Sequence, residues 1–290
     1  MSDETRAIRL EDRGVLAIAG ADARSFLQGL ITNDIDRVSP GTAIYAALLT
    51  PQGKYLFDFF IAQLDDTLLL DVEADRAADL MQRLTMYKLR AAATIEDWSD
   101  RFDVWAVLGE PAGLPALPDA GEAGAWQGGV LLRDPRLPGL GLRALMPAGT
   151  SPDLPAGAMA DYDAIRLAHG VPDGSRDIEV DKSFILEANA DALNGVDFDK
   201  GCYVGQELTA RMHHRGKLKK RLLPVAVDGP LPAVDTPVLG DGGKQAGTIR
   251  SAAGDRAIAL MRLEHVDGDT PLTAGSARVT PQWPAWLARD

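Results

Sequence analysis

Cys202 is the only cysteine among 290 residues, and its neighbours are of the kind that make a thiol reactive. It stands in Lys200-Gly201-Cys202-Tyr203-Val204-Gly205-Gln206-Glu207, between two glycines and close to a lysine. A thiolate is stabilised by a nearby cation and by partial exposure, whereas a structural cysteine sits among apolar side chains. Gly201 and Gly205 allow backbone angles and close approaches that a side chain would block. From Gln206 and Glu207 through Leu208, Thr209, Ala210 and Arg211 the segment reads as a helix. The first turn of such a helix offers unpaired N–H groups and partial positive charge to an anion or thiolate. The competing reading is a tight turn in which Cys202 merely packs. One cysteine excludes an internal disulfide, which fits a reducing compartment. It also excludes a self-contained iron–sulfur site, which takes about four thiolates. His169, His213, His214 and His265 show no zinc-type spacing with it, so no metal ligand set is assigned.

Asp58 is the second candidate, set in Tyr55-Leu56-Phe57-Asp58-Phe59-Phe60. In a strand, alternation puts it on the same side as Leu56 and Phe60. A carboxylate there is costly to bury unless it is partnered or borders a wet cavity, and a cavity is the expectation. A third feature runs from Arg211 to Arg221, where Arg211, Arg215, Lys217, Lys219, Lys220 and Arg221 occur without an acid. It reads either as a solvated strand edge carrying gatekeeper lysines or as a local attractor for a small anion. The chain as a whole is acidic, with net charge −12 and a pI near 4.8, which argues against general nucleic-acid binding.

The elements that must hold these residues are legible in outline. Val15–Ala19 reads as a strand, followed by a helix over Ala23–Leu30 with Asp22 as N-cap. Ile44–Thr50 and Tyr55–Gln63 are strands joined by the hairpin signal Thr50-Pro51-Gln52-Gly53-Lys54. Leu68–Val72 is another strand, and Ala77, Leu80, Met81, Leu84 and Tyr87 recur at helical spacing within Asp75–Lys88. Ala92–Glu96 and Asp103–Leu108 return to strand. Two helices on an antiparallel sheet are the economical architecture for this order. Glu110–Gly129 reads as loop, Val130–Arg133 and Leu140–Met146 as strands, Asp161–His169 as a helix ended by Gly170, and Asp173–Phe198 as irregular. Beyond Gly216, short strands at Leu222–Val227, Pro237–Leu239, Ala246–Arg250 and Ala257–Leu263 suggest a small β-barrel or sandwich. Trp283 and Trp286 are expected to tie down the C-terminus by packing. Hydrophobic content of 46% with 25% charged residues is that of a soluble globular protein. No apolar run approaches the ~20 residues of a membrane span, and the polar start Met1–Arg6 does not resemble a secretory signal. A cytoplasmic protein without membrane partners is expected.

The segment Asn194–Gly216, NGVDFDKGCYVGQELTARMHHRG, resembles the signature of the YgfZ family of folate-binding proteins, relatives of the glycine-cleavage T-protein (aminomethyltransferase). Arg24–Asp34, Leu49–Lys54, Tyr87-Lys88-Leu89-Arg90 and Ile165-Arg166-Leu167 support the resemblance. It implies an α+β fold of three subdomains in a cloverleaf around a central channel: two ferredoxin-like α/β units and a small C-terminal β-barrel. The corresponding divisions are residues 1–100, 101–215 and 216–290. It implies tetrahydrofolate as cofactor and a role in iron–sulfur cluster assembly or repair, with client or assembly proteins as partners, among them radical tRNA-modifying enzymes. Cys202 and Lys200 match the family's functional positions, with Gln206 and Glu207 beside them. Asp58 falls where aminomethyltransferases place a catalytic aspartate near the folate ring, and Arg166 and Arg211 are further candidates for folate contacts. Three departures weigh against aminomethyl transfer, one being that the transferases' Tyr-Thr-Gly-Glu segment has no counterpart here. The transferases' Arg-Leu-Glu-Ala-Gly is Arg166-Leu167-Ala168-His169-Gly170 here, and their paired Asp-Asp is Phe57-Asp58.

The leading expectation is therefore a tetrahydrofolate-binding accessory protein for iron–sulfur enzymes, with Lys200 activating Cys202. The alternative is a one-carbon transferase related to the aminomethyltransferases, with Asp58 as the acid/base group. A non-catalytic scaffold using folate as a structural ligand is a third reading. A hydrolase pairing Cys202 with His213 or His214 is disfavoured, because both histidines lie further along one helix and point down its axis rather than back over its start.

Overall fold

The computed structural model describes residues 5–216, 218–268 and 270–289. Met1–Glu4 of the polar start and Lys217 of the basic run lie outside the described residues. The chain divides into two compact units. The first comprises Met1–Leu49, Leu56–Tyr162 and Leu193–Val204; the second comprises Thr50–Tyr55, Asp163–Ala192 and Gly205–Asp290.

In chain order the strands and helices leading through the first unit are β1 (Arg6–Arg9), β2 (Arg13–Ala19), α1 (Ala23–Gln28), β3 (Ile44–Leu49), β4 (Tyr55–Leu64), β5 (Thr67–Glu73), α2 (Ala77–Lys88), β6 (Thr94–Asp97), β7 (Phe102–Leu108), β8 (Ala123–Trp126), β9 (Gly129–Arg133) and β10 (Leu142–Pro147). They form two five-stranded sheets, ordered β3-β4-β5-β2-β6 and β1-β7-β10-β9-β8. Strand alternation sorts the residues of β4. Phe57, Phe59 and Ile61 join Leu27, Ile31, Leu80 and Leu84 of the helical layer in one apolar core, while Phe60 lies opposite Asp71 on the other face.

Three local expectations shift for tertiary reasons. Helix α1 ends at Gln28 rather than Leu30, because the chain beyond it turns to pair with β3: Thr32 N–H donates to Ala47 O at 2.9 Å, and Ile31 bridges Leu48. Asp22 makes no side-chain cap; its carboxylate instead accepts the Ala92 N–H at 2.7 Å. The Gly/Pro-rich stretch before β9 contains β8, where strand pairing with β9 overrides weak local propensity.

Helix α3 (Met159–His169) leads into the second unit, which holds α4 (Gly174–Asp177), α5 (Gln206–Arg215) and six strands: β11 (Lys220–Asp228), β12 (Pro237–Leu239), β13 (Gln245–Ala253), β14 (Arg256–Arg262), β15 (Leu272–Ala274) and β16 (Ala277–Pro281). These close into a barrel in the order β11-β14-β13-β12-β15-β16. Closure needs β15 and β16, two strands beyond the four legible from their apolar runs, and it removes the exposed edges an open sheet would leave. Leu223, Val225, Val238, Ile249, Met261, Leu272 and Val279 fill its interior, with Trp283 and Trp286 packed against them. Trp286 also donates its indole N–H to His169 O at 2.8 Å. No described helix is long and apolar enough to cross a membrane. The expected mixed fold of antiparallel α/β sheets followed by a C-terminal barrel is the fold observed.

Candidate functional site

The segment that carries Cys202 is fastened along the exit of α1 by polar side chains. Thr32 Oγ1 donates to Gly195 O at 2.6 Å, Asn33 Nδ2 to Asn194 O at 2.8 Å, and the Asp197 N–H to Thr32 O at 3.0 Å. Arg37 pairs with Asp197 at 3.1 Å. Lys200 completes the row: its Nζ donates to Gln28 O at 2.6 Å, a carbonyl the helix leaves unpaired at its end, and to Ile31 O at 2.7 Å in the exit segment. Burial pulls its pKa down to about 8, against the opposing pull of Asp34, Asp197 and Asp36. Lys200 thus holds the segment to α1. Beyond it Gly201 (φ 95°) and Gly205 (φ 87°) take left-handed backbone angles, and between them Cys202 is exposed as a free thiol.

Asp58 is 5% exposed and Tyr45 3%, and Tyr45 donates its hydroxyl to Asp58 Oδ2 at 2.9 Å. Burial, and next the Asp58 charge, push the Tyr45 pKa well above the usual phenol value, so the phenol remains a donor and Asp58 its acceptor. Tyr45 also borders a hollow of about 220 Å³ lined with Asn33, Arg37, Thr42, Pro135 and Asn194; Asp58 is not among its lining residues. On the same face lies a buried ionic cluster. Asp71, fully buried, accepts from Arg13 Nε at 2.6 Å and from Arg143 Nη1 at 2.7 Å. Arg136 pairs with Asp134 at 2.8 Å, and both Arg136 and Arg143 donate to Tyr162 Oη. The guanidiniums of Arg143 and Arg136 lie 4.1 and 4.8 Å from the Phe60 ring centre. Burial works to raise the Asp134 pKa, but the Arg136 guanidinium with its hydrogen bonds, and the Arg143 charge, bring it below the usual carboxylate value.

The other candidates belong to the second unit. Gln206 and Glu207 open α5, as the sequence suggests. Glu207 is paired with Arg211 at 2.7 Å on an exposed face, one helical turn apart. Arg166 is 1% exposed and committed to Asp163 and Asp177 at 2.5 and 2.8 Å, an arrangement that fixes α3 to α4 and leaves its guanidinium within the fold. The basic run is not one surface either: Arg221 is buried and bonded to Asn189 Oδ1 and Asp191. Tyr45, Gln28, Thr32 and Asn33 escape a reading based on reactive residue types. Their signal is weak but present, since polar side chains at a helix exit and on an apolar strand must find partners when buried.

The chain matches the family model described as the GCVT N-terminal domain over residues 10–113, and that of the CAF17 C-terminal beta-barrel domain over residues 219–289. Two curated relatives named "Iron-sulfur cluster assembly factor IBA57, mitochondrial", from Mus musculus and Homo sapiens, are each 35% identical to it across 95% of this chain and 85% of the relative. A homolog so named from Neosartorya fischeri is 33% identical across 94% of this chain and 73% of its own. Among solved structures, glycine cleavage system aminomethyltransferase T from Bartonella henselae superposes with a TM-score of 0.81 over 98% of this chain and 86% of that one; at 15% identity this is a likeness of fold. The mitochondrial names of the relatives overturn the cytoplasmic placement expected from the sequence. A lone thiol indicates a reducing compartment, and that condition is not unique to the cytoplasm.

Proposed function

The chain belongs to the IBA57 family of iron–sulfur cluster assembly factors, and on that premise we propose that it is a tetrahydrofolate-binding accessory protein whose exposed thiol serves cluster assembly or repair. The observation that carries the reading is full-length kinship, 35% identity over 95% of the chain, joined to an exposed cysteine on an anchored segment. The YgfZ-like signature around Cys202 is the reason to add folate, and radical tRNA-modifying enzymes are the proposed clients. The donor edge of a reduced pteridine calls for a carboxylate; Asp58, oriented by the Tyr45 hydroxyl, is the carboxylate assigned to it, set behind Tyr45 rather than in the lining of the hollow that Tyr45 borders. When bound, the folate would supply a reduced ring able to carry a one-carbon unit. The chain's own residues have simpler roles: Asp58 would accept from a bound ring, Lys200 fixes the cysteine segment, and Cys202 would act as a redox-active thiol or transient ligand. Gln206, Glu207 and Arg211 flank that segment in sequence. Arg166 is held within the fold by Asp163 and Asp177, so it is given a structural role in this proposal.

Calorimetric titration with tetrahydrofolate, folic acid and a polyglutamylated analogue tests this reading. Tetrahydrofolate should bind the wild-type chain, and Asp58→Asn should weaken binding about tenfold, the loss of one charge-assisted hydrogen bond. Cys202→Ala should keep the affinity yet fail to restore iron–sulfur enzymes in cells lacking the protein. Binding of none of the folates removes the cofactor from the proposal, and full rescue by Cys202→Ala removes the thiol. The buried carboxylate also supports a second reading, a one-carbon transferase using Asp58. Steady formation of methylene-tetrahydrofolate from a formaldehyde or amine donor, lost in Asp58→Asn, would favour it.

A further inference from the structure

The end of α2 carries an apolar and basic patch that neither the folate nor the thiol uses. Met86 and Leu89 are 60% and 87% exposed and stand about one helical turn apart. Arg83, Lys88 and Arg90 surround them in the sequence, and no acid occurs from Leu80 to Ile95, in a chain of net charge −12. Leu89 has φ 46° and ψ −104°, a backbone conformation that is an outlier for a bulky residue and easy for glycine. The surrounding backbone enforces it. Lys88 O accepts the Ala91 N–H at 2.9 Å, the Ala92 N–H donates to the Asp22 carboxylate at 2.7 Å, and the Asp22 N–H returns to Ala92 O at 3.1 Å. The leucine side chain therefore occupies a strained position and points into water, where it gives the fold little packing. Backbone strain held in this way clusters at active sites, ligand clamps and switch regions. Methionine and arginine are residues enriched at protein interfaces, and contiguous exposed apolar groups rimmed by charge mark interaction sites.

We propose that the end of α2 is a docking surface for an acidic protein, which receives Leu89 and Met86 in an apolar cleft and meets Arg83, Lys88 and Arg90 with carboxylates. Charge complementarity selects this occupant. Nucleic acid and anionic lipid need a longer basic track than three cations, whereas an exposed apolar pair with a few cations beside it suits an apolar cleft edged by carboxylates. The inference is independent of the folate reading.

The test uses the full chain and short peptides selected from a displayed random library at low salt. Selected peptides should combine carboxylates with an aliphatic or aromatic residue, and their affinity should fall about tenfold in Leu89→Glu, in Arg90→Glu and at high salt. Leu89→Gly separates docking from folding. It should raise the melting temperature by a few degrees, since strain is relieved, while weakening the same peptides by a similar factor. The proposal is overturned if no acidic peptides are enriched, if these variants leave peptide binding unchanged, or if Leu89→Gly lowers the melting temperature. A tRNA gel shift and anionic vesicles run in parallel; binding of either that disappears in Leu89→Glu and Arg90→Glu would overturn it in favour of that class of partner.

Discussion

A lysine two residues before a cysteine suggests an activating cation, but Lys200 directs its ammonium at two backbone carbonyls, Gln28 O and Ile31 O. That position has a measurable signature in pH. Its pKa in the folded chain is about 8, lowered by burial, against roughly 10.4 for a free lysine. Below the folded value both states carry the proton, and the folded state bears the full penalty of a half-buried charge. Between the two values the folded state has released its proton while the unfolded state keeps it, so stability contributed by this group rises with pH across that interval. The wild-type chain should therefore gain thermal stability relative to Lys200→Met as pH climbs from about 8. Paired melting curves at neutral and alkaline pH decide the matter, and a constant difference would refute the assignment.

At the scale of elements, the hairpin tip and the start of α5 are matched surfaces of the second unit. Thr50 O accepts the Gly53 N–H at 2.8 Å and Thr50 N–H donates to Lys54 O at 2.8 Å, which folds Gly53 to φ 74°. A Cβ placed there would lie 3.1 Å from Gly205 O and 3.2 Å from Leu208 Cβ. Gly53→Ala should thus combine a left-handed penalty of about 1–2 kcal/mol with pressure on the first turn of α5. Denaturant unfolding should show a lower midpoint, and an unchanged midpoint would mean that the tip is free to move away.

Across the larger fold, one feature that joins separate sheets is ionic. Arg13 of β2 and Arg143 of β10 both bind Asp71 of β5, so one carboxylate ties the two sheets of the first unit together. Removing one member of such a buried group is expensive because the remaining charges keep their desolvation penalty. Asp71→Ala should lower unfolding free energy by about 3–5 kcal/mol, measured by urea titration. A loss below about 1 kcal/mol would show that the guanidiniums regain water or other partners.

The sequence by itself determined the elements whose pattern is local. Leu56 to Phe60 alternate as a strand whatever surrounds them, the hairpin at Thr50–Lys54 follows from its Pro and Gly, and α5 begins at Gln206 directly after Gly205, as the glycine implies. The exposure of Cys202 was legible from its glycine and lysine neighbours, and so was the need of Asp58 for a partner. Only tertiary structure decided what each charge does. Hydrogen-bond partners lie far apart in sequence: Lys200 meets Gln28, Asp58 meets Tyr45, and Asp71 meets Arg143. Propensity and spacing carry no information about such distant pairs, because the free energy that selects them arises when the chain closes and water is excluded. The same holds for β15 and β16, short segments whose strand character comes from completing the barrel rather than from their own composition.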